Sequence, residues 1–494
     1  MGHLRVGDSL DKSIDMGAIV DKSQWDTVDY WVKMGEKEGG KVFQPDITLP
    51  PKGLFYKPTL ITDLDPAAST VQEEIFGPVL VSLTFRTPEE AIALANNTRY
   101  GLGGSVWSDN INLALDAASR IKAGAMWVNC HNVFDAAGGF GGYRESGFGR
   151  EGGREGLFEY VRPKWMDRPQ PDLTTLRLDA ATNLPAEKKA WGEHIPSRPA
   201  RPEAGRANGG SIPPVDRTPK MYIGGKQVRP DGNYTRSVFA PNGDLVGQVG
   251  DGNRKDIRDA VEAARKADGW RDKTGHARAQ ILYYIAENLG ARSEEFARRL
   301  VAMTGHKLGD ARAEVDAAIA RLFTYAAYAD KYGGTVQETQ MRGITVAMNE
   351  PIGVIGIACP DEQPLLSFIS LIAPAIARGN TVVVIPSERF PLSATDFYQV
   401  LETSDLPGGV VNIVTGSRDG LTRTLVEHDN VDAMWYFGSA EGSAFVENAS
   451  AHNMKRTWVN YGLARDWMSR DQGEGEDFLR EATQVKNIWV PTGE

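Results

Sequence analysis

A chain of 494 residues is long enough for about three domains of ordinary size. With 24% charged and 41% hydrophobic residues, there is enough apolar surface to bury large cores, which excludes wholesale disorder. Lysine and arginine number 55 against 65 acidic residues, and the net charge of −10 is a poor basis for binding nucleic acid or an anionic membrane.

Two cysteines exclude a disulfide framework and a cysteine-based zinc module, and such sparse usage fits a reducing compartment. The first residues lack the apolar core of a signal peptide, and Val6 stands where a myristoylation signal needs Ser or Thr. The best apolar run, 365–377, is interrupted by Pro374 and too short to span a bilayer. These features predict a soluble cytoplasmic protein with neither nucleic-acid nor membrane partners.

In chain order, 88–97 reads as a helix with Thr87 at its N-cap, Pro88 in first position and Glu89 and Glu90 behind it. A second helix spans 112–123 and stops at Gly124. Residues 125–129 read as a buried strand, followed by a glycine-dense stretch, 136–156. Within it, Gly147 to Gly152 spells G-x-G-x-x-G. A phosphate cradle needs a strand before that motif and a helix after it, and neither is legible here.

Composition changes near residue 166. From 166 to 219 prolines, arginines and small polar residues dominate, which reads as a Pro/Arg-rich linker. It divides a front unit, 1–165, from a rear unit, 220–494. The rear unit opens with alternating apolar residues punctuated by Gly224-Gly225, Asp231-Gly232 and Asn242-Gly243, the marks of hairpins. Helical periodicity follows over 256–268, 277–289, 293–303 and 311–331, with Ser293 predicted as an N-cap. Four short apolar runs, 353–359, 381–385, 410–414 and 431–437, then alternate with helical stretches 365–377, 392–403 and 420–427. That alternation predicts an α/β fold whose parallel sheet carries helices on both faces, with ligands at the carboxyl ends of the strands.

Local chemistry is sparse. Cys130 follows the buried strand, and His131 beside it points to the opposite face. Cys359 ends a strand, but Asp361 and Glu362 disfavour its thiolate. A structural role is the plainer reading of both. Seven histidines lack partners at helical spacing, so no metal site is expected. The pair Glu73-Glu74 could serve as general acid and base, but the plainer reading is a solvated loop.

Longer motifs carry a resemblance. EEIFGPV (73–79), WVNC (127–130), NVF (132–134) and FGGYRESGFGRE (140–151) follow the opening LRVGDSLDKSIDMGAIVD. In this order and spacing they resemble the carboxyl-terminal part of NAD(P)-dependent aldehyde dehydrogenases, over nearly all of 3–165. GVIGIACPDEQPLL (353–366), GNTVVVIPSE (379–388), LPGGVVNIVTG (406–416) and YFGSAEGS (436–443) resemble the amino-terminal cofactor domain of the same family. A family C-half thus precedes a family N-half, which resembles the two-unit family-16 enzymes entered inside the first unit, with a degenerate second unit.

The resemblance implies aldehyde oxidation with NAD or NADP. In the family a cysteine thiolate attacks the aldehyde, hydride leaves to the nicotinamide, and a glutamate activates the water that hydrolyses the thioester. It implies a nicotinamide-ribose contact for Glu74, a ring beside the nicotinamide for Phe76, an aldehyde pocket around Phe134 and Phe140, and a retained cofactor contact at Glu388. It also implies departures: Glu362 at the oxyanion asparagine, Asn460 at the general-base glutamate, Ile385 at the ribose lysine and Ser443 at a glycine of the helix start. An amide cannot take up the base's proton. No catalytic residue is therefore assigned, and the rear unit reads as a pseudo-unit.

The expected partners are a small aldehyde and further copies of the chain, a dimer favoured, paired through apolar segments near 160–165 and 484–491. Three readings compete. The chain is a fragment of a complete dehydrogenase and inactive alone, a non-catalytic scaffold, or a permutant whose rear N-half docks on its front C-half.

Overall fold

The computed structural model of the chain describes residues 1–162 and 219–492. The linker predicted over 166–219 lies outside the described residues but for Pro219.

Three strands of the rear unit, Val354–Ala358, Thr381–Ile385 and Ala433–Tyr436, are buried at every position. Strands covered on both faces carry continuous apolar runs rather than alternation. They lie in a seven-stranded sheet of spatial order Arg456–Val459, Ala433–Tyr436, Val354–Ala358, Thr381–Ile385, Val411–Ile413, Met221–Ile223, Lys226–Val228. The first five are parallel, and the last two form an antiparallel hairpin at the edge. Strand order reverses between Val354–Ala358 and Ala433–Tyr436, which makes a Rossmann-like switch point there.

Helix Pro364–Ala377 is buried throughout and packs between the sheet and helices Gly275–Ala291 and Leu308–Tyr328. Helices Arg254–Lys266, Arg418–Val426 and Ala440–Ser450 cover the opposite face. The first of these starts with a capping box, in which Asn253 and Asp256 satisfy each other's backbone N–H groups.

Two local expectations need correction. Ser293 is the first helical residue and not the cap, which is Arg292, whose guanidinium pairs with Glu295 at 2.7 Å. The helix expected over 392–403 is two pieces, Leu392–Asp396 and Tyr398–Glu402, interrupted by a turn at Phe397, which is fully buried.

In the front unit, helix Lys22–Lys37 packs beside a small sheet of Lys41–Phe43, Thr59–Thr62 and Val79–Val81, over a core of Val28, Val32, Tyr56 and Ile75. Thr87 caps Pro88–Asn96, accepting from the Glu90 N–H at 3.2 Å.

A five-stranded sheet joins the units. Its order is Thr335–Gln337, Gly343–Pro351, Thr483–Pro491, Ala125–Val128, Gly103–Val106. The last rear strand, Thr483–Pro491, pairs antiparallel with Gly343–Pro351 along its full length. On its other side it pairs parallel with the front strand, Asn487 opposite Ala125, Ile488 opposite Met126 and Trp489 opposite Trp127. Trp127 and Trp489 share one face, while Met126, Val128 and Ile488 pack with Ala114 and Ala118 on the other. Of the two segments expected to pair between copies, 484–491 pairs within the chain. In the other, residues 160–162 belong to no strand and the rest lies outside the described residues.

Candidate functional site

The carboxyl ends of the parallel strands are where an α/β sheet takes a ligand. Here the switch-point loops satisfy themselves. The Tyr436 hydroxyl donates to Asp419 Oδ1 at 2.8 Å and accepts from the Ser439 N–H at 3.2 Å. Asn460 Oδ1 accepts from the Gly438 N–H at 3.1 Å and from the Gly462 N–H at 3.3 Å, and its amide donates to the Leu463 carbonyl. Ser443 Oγ accepts from the Tyr461 N–H at 3.0 Å. A Cβ on Gly438 or Gly442 would collide with the Tyr436 ring, so the tyrosine lies directly on the first turn of helix Ala440–Ser450. Such a helix start holds a phosphate by its free N–H groups; here Gly438, Ser439 and Gly442 donate to the protein's own oxygens. These residues do not fit a dinucleotide diphosphate.

Glu388 lies just beyond strand Thr381–Ile385. Its carboxylate accepts from the Arg418 N–H at 2.8 Å and faces Arg236 at 3.5 Å. Arg418 also faces Asp361 at 3.7 Å, and Asp361 accepts from Ser387 Oγ at 2.6 Å. Ile385 is buried and Glu362 is exposed.

In the front unit, Glu74 and Phe76 stand on the loop between helix Ser69–Gln72 and strand Val79–Val81. Glu74 is exposed, and Phe76 is 78% exposed with φ at +53°. Gln24 holds the loop, its amide donating to the carbonyls of Ile75 and Phe76 at 3.0 Å each. Neighbouring Glu73 is bound to Arg99. Phe134 and Phe140 meet edge to face at 5.0 Å, and Phe134 meets Trp127 at 5.5 Å. The structure thus brings Phe134 and Phe140 together beside the shared sheet. Glu74 and Phe76 share a loop at the small front sheet, and Glu388 sits at the separate seven-stranded one.

Neither cysteine is set up as a nucleophile. Burial pushes the Cys359 thiol well above its ordinary range, and the thiol has no exposed surface. Burial also raises Cys130, whose sulfur lies 4.0 Å from the Trp489 carbonyl. A thiolate needs a cation or a helix N-terminus beside it.

The residues that join the units were not singled out from the sequence. Lys486 Nζ meets Glu350 Oε1 at 3.0 Å and donates to the Ser119 carbonyl at 2.6 Å; the Tyr143 hydroxyl donates to Glu350 Oε2 at 3.0 Å. Arg150 donates to the Val485 carbonyl at 2.8 Å. The available signal was a lysine inside an apolar strand, QVKNIWVP, since a buried charge needs a partner.

The aldehyde dehydrogenase family model matches residues 1–166 and 228–468. The chain belongs to that family, whose members use NAD(P). Among curated relatives, retinaldehyde dehydrogenase 3 of Rattus norvegicus is 41% identical over 174 residues, 35% of this chain and 32% of that protein. An aldehyde dehydrogenase of Agaricus bisporus is 40% identical over 162 residues, 33% of this chain and 32% of that protein. The chain therefore spans about a third of the length of the curated relatives it matches. A solved betaine aldehyde dehydrogenase of Staphylococcus aureus is 28% identical, with 49% of this chain and 50% of that one covered and a TM-score of 0.48. Among the described residues, no helix is long and apolar enough to cross a membrane.

Proposed function

We propose that this chain is a non-catalytic part of a cytoplasmic, two-unit aldehyde dehydrogenase of the family-16 kind. The complete protein oxidises an aldehyde to a carboxylic acid with NAD or NADP. The front unit, 1–165, contributes cofactor and substrate contacts through Glu74, Phe76, Phe134 and Phe140. The rear unit, 220–494, is a pseudo-unit that serves as scaffold, with 166–219 as the linker, and its Glu388 is a remnant of a cofactor contact. One observation carries the reading: strand Thr483–Pro491 completes the front unit's sheet, while the rear crevice is closed by Tyr436, Asn460 and Ser443.

The catalytic thiol is neither Cys130 nor Cys359. Exposed Leu80, Phe85 and Trp107 give the front unit apolar surface that a homo-oligomer, a dimer first, would cover. The test is aldehyde-dependent NADH formation by the protein isolated from its source cells, compared with its Cys130→Ser, Cys359→Ser variant. Undiminished turnover is expected. Loss of turnover in a folded variant overturns the assignment.

A further inference from the structure

A second cleft lies where the two units meet, at the amino ends of strands Val354–Ala358 and Ala433–Tyr436. Its volume is about 490 Å3, within the ordinary range for small-molecule sites. The front unit contributes Lys122 and Arg144 to its wall, and the rear unit contributes Arg265 and Arg271.

The charges do not cancel. Arg265 is matched, bonding Asp432 at 2.8 Å and the Asn430 carbonyl at 2.9 Å. The cleft's other arginines, Arg99 and Arg456, pair with Glu145 and Glu481, each at 3.3 Å. Arg144 donates only to the main-chain carbonyls of Asn96 and Thr98, which orient its guanidinium without neutralising it. Among the described residues, the Lys122 ammonium and the Arg271 guanidinium have no hydrogen-bond or ion-pair partner. Of the carboxylates, Asp429 faces His452 at 3.7 Å, and Asp268 is exposed and forms no ion pair. Burial and then the Arg271 charge lower the Lys122 pKa, with Asp268 opposing them, so the two cations feel one another across the cleft.

We propose that this cleft binds the phosphate or diphosphate group of a small organic molecule, clamped between Lys122 and Arg144 of the front unit and Arg271 of the rear unit. Guanidinium forks suit phosphate oxygens, and a lysine adds a point charge. Exposed Phe148 on the same wall offers an apolar surface to the organic part. Because its cations come from both units, the site makes anion binding and the union of the units mutually reinforcing. It is separate from the dehydrogenase reading and stands or falls without it.

The experiment is calorimetric titration of the full chain with inorganic pyrophosphate, and with inorganic phosphate, against sodium chloride at matched ionic strength. Saturable one-site binding in the millimolar range or tighter is expected, pyrophosphate ahead of phosphate. Lys122→Gln and Arg271→Gln should each weaken it by about tenfold or more, the usual weight of a hydrogen bond to a charged group. Both side chains are unpartnered, so both variants should keep the parent's unfolding temperature. Should either fail to fold, the wild-type chain gives the answer: pyrophosphate should shield Lys122 from acetylation, read by mass spectrometry. No saturable heat beyond the chloride control, equal binding by the double variant, or an unshielded Lys122 would each overturn the proposal.

Discussion

Lys486 and Glu350 form an ion pair at 3.0 Å with side chains only 1% and 10% exposed, between neighbouring strands of the sheet that joins the two units. Tyr143 and the Ser119 carbonyl of the front unit supply the remaining hydrogen bonds. Removing one partner leaves a buried charge alone, which costs roughly 3–5 kcal/mol, whereas replacing both with apolar residues of similar volume is far less damaging. Lys486→Met should therefore destabilise the full chain strongly in urea, and Lys486→Met with Glu350→Leu should recover most of the loss. Additive losses would mean that the pair does not act as a unit.

Trp489 stacks its indole against Gly138 in the glycine-dense front stretch, where a Cβ would collide with the ring. Gly138, with Gly139 against Asn487, is thus explained by the approach of the rear strand. Trp489→Ala should cost about 3–5 kcal/mol, as large aromatic truncations in cores do. Protease cleavage within 136–156 should rise with it. Unaltered cleavage there would separate the two segments.

Glu314 predicts a pH dependence. It is 4% exposed and accepts from the N–H groups of Leu365 and Leu366, at the start of the fully buried helix Pro364–Ala377. Burial outweighs those bonds and raises its pKa from 4.5 to about 7. A raised folded pKa means that the folded chain holds this proton more tightly than the unfolded one. The contribution is complete below pH about 4.5 and fades as pH rises through about 7, by ~3 kcal/mol in all. Glu314→Gln keeps an acceptor and should flatten this part of the profile, gaining stability at pH 8. A slope of unfolding free energy between pH 4.5 and about pH 7 that is the same in both proteins would contradict this.

The cysteines give a chemical prediction. With both thiols raised by burial, iodoacetamide at neutral pH should leave Cys359 unmodified in the folded chain and label Cys130 slowly. Mass spectrometry after a timed exposure checks it. Rapid labelling of Cys130 would return it to the list of nucleophiles.

Much of the rear fold is legible in the chain because strands such as Thr381–Ile385 are covered on both faces and so read as unbroken apolar runs. Caps such as Thr87 are legible for the same local reason: their hydroxyl and its N–H partner lie three residues apart. The shared sheet is not legible. Ala125–Val128 and Thr483–Pro491 are both buried apolar strands, and nothing local names the neighbour that each takes some 360 positions away. Lys486 marks that a partner exists without saying which. The site reads in the same way. Phe134 and Phe140 are six positions apart and do meet, whereas the engagement of Glu388 by Arg236, and of the Gly438 N–H by Asn460, depends on segments coming together from further along the chain.

The rear unit's last strand completes the front unit's sheet. Hydrogen exchange tests it most directly, comparing the full chain with its Asn487→Pro variant, which loses the 2.8 Å bond from the Asn487 N–H to the Gly124 carbonyl. Amides of Ala125–Val128 should lose protection in the variant while those of Val354–Ala358, in the separate seven-stranded sheet, keep theirs. Protection at Ala125–Val128 that is the same in both proteins would contradict it.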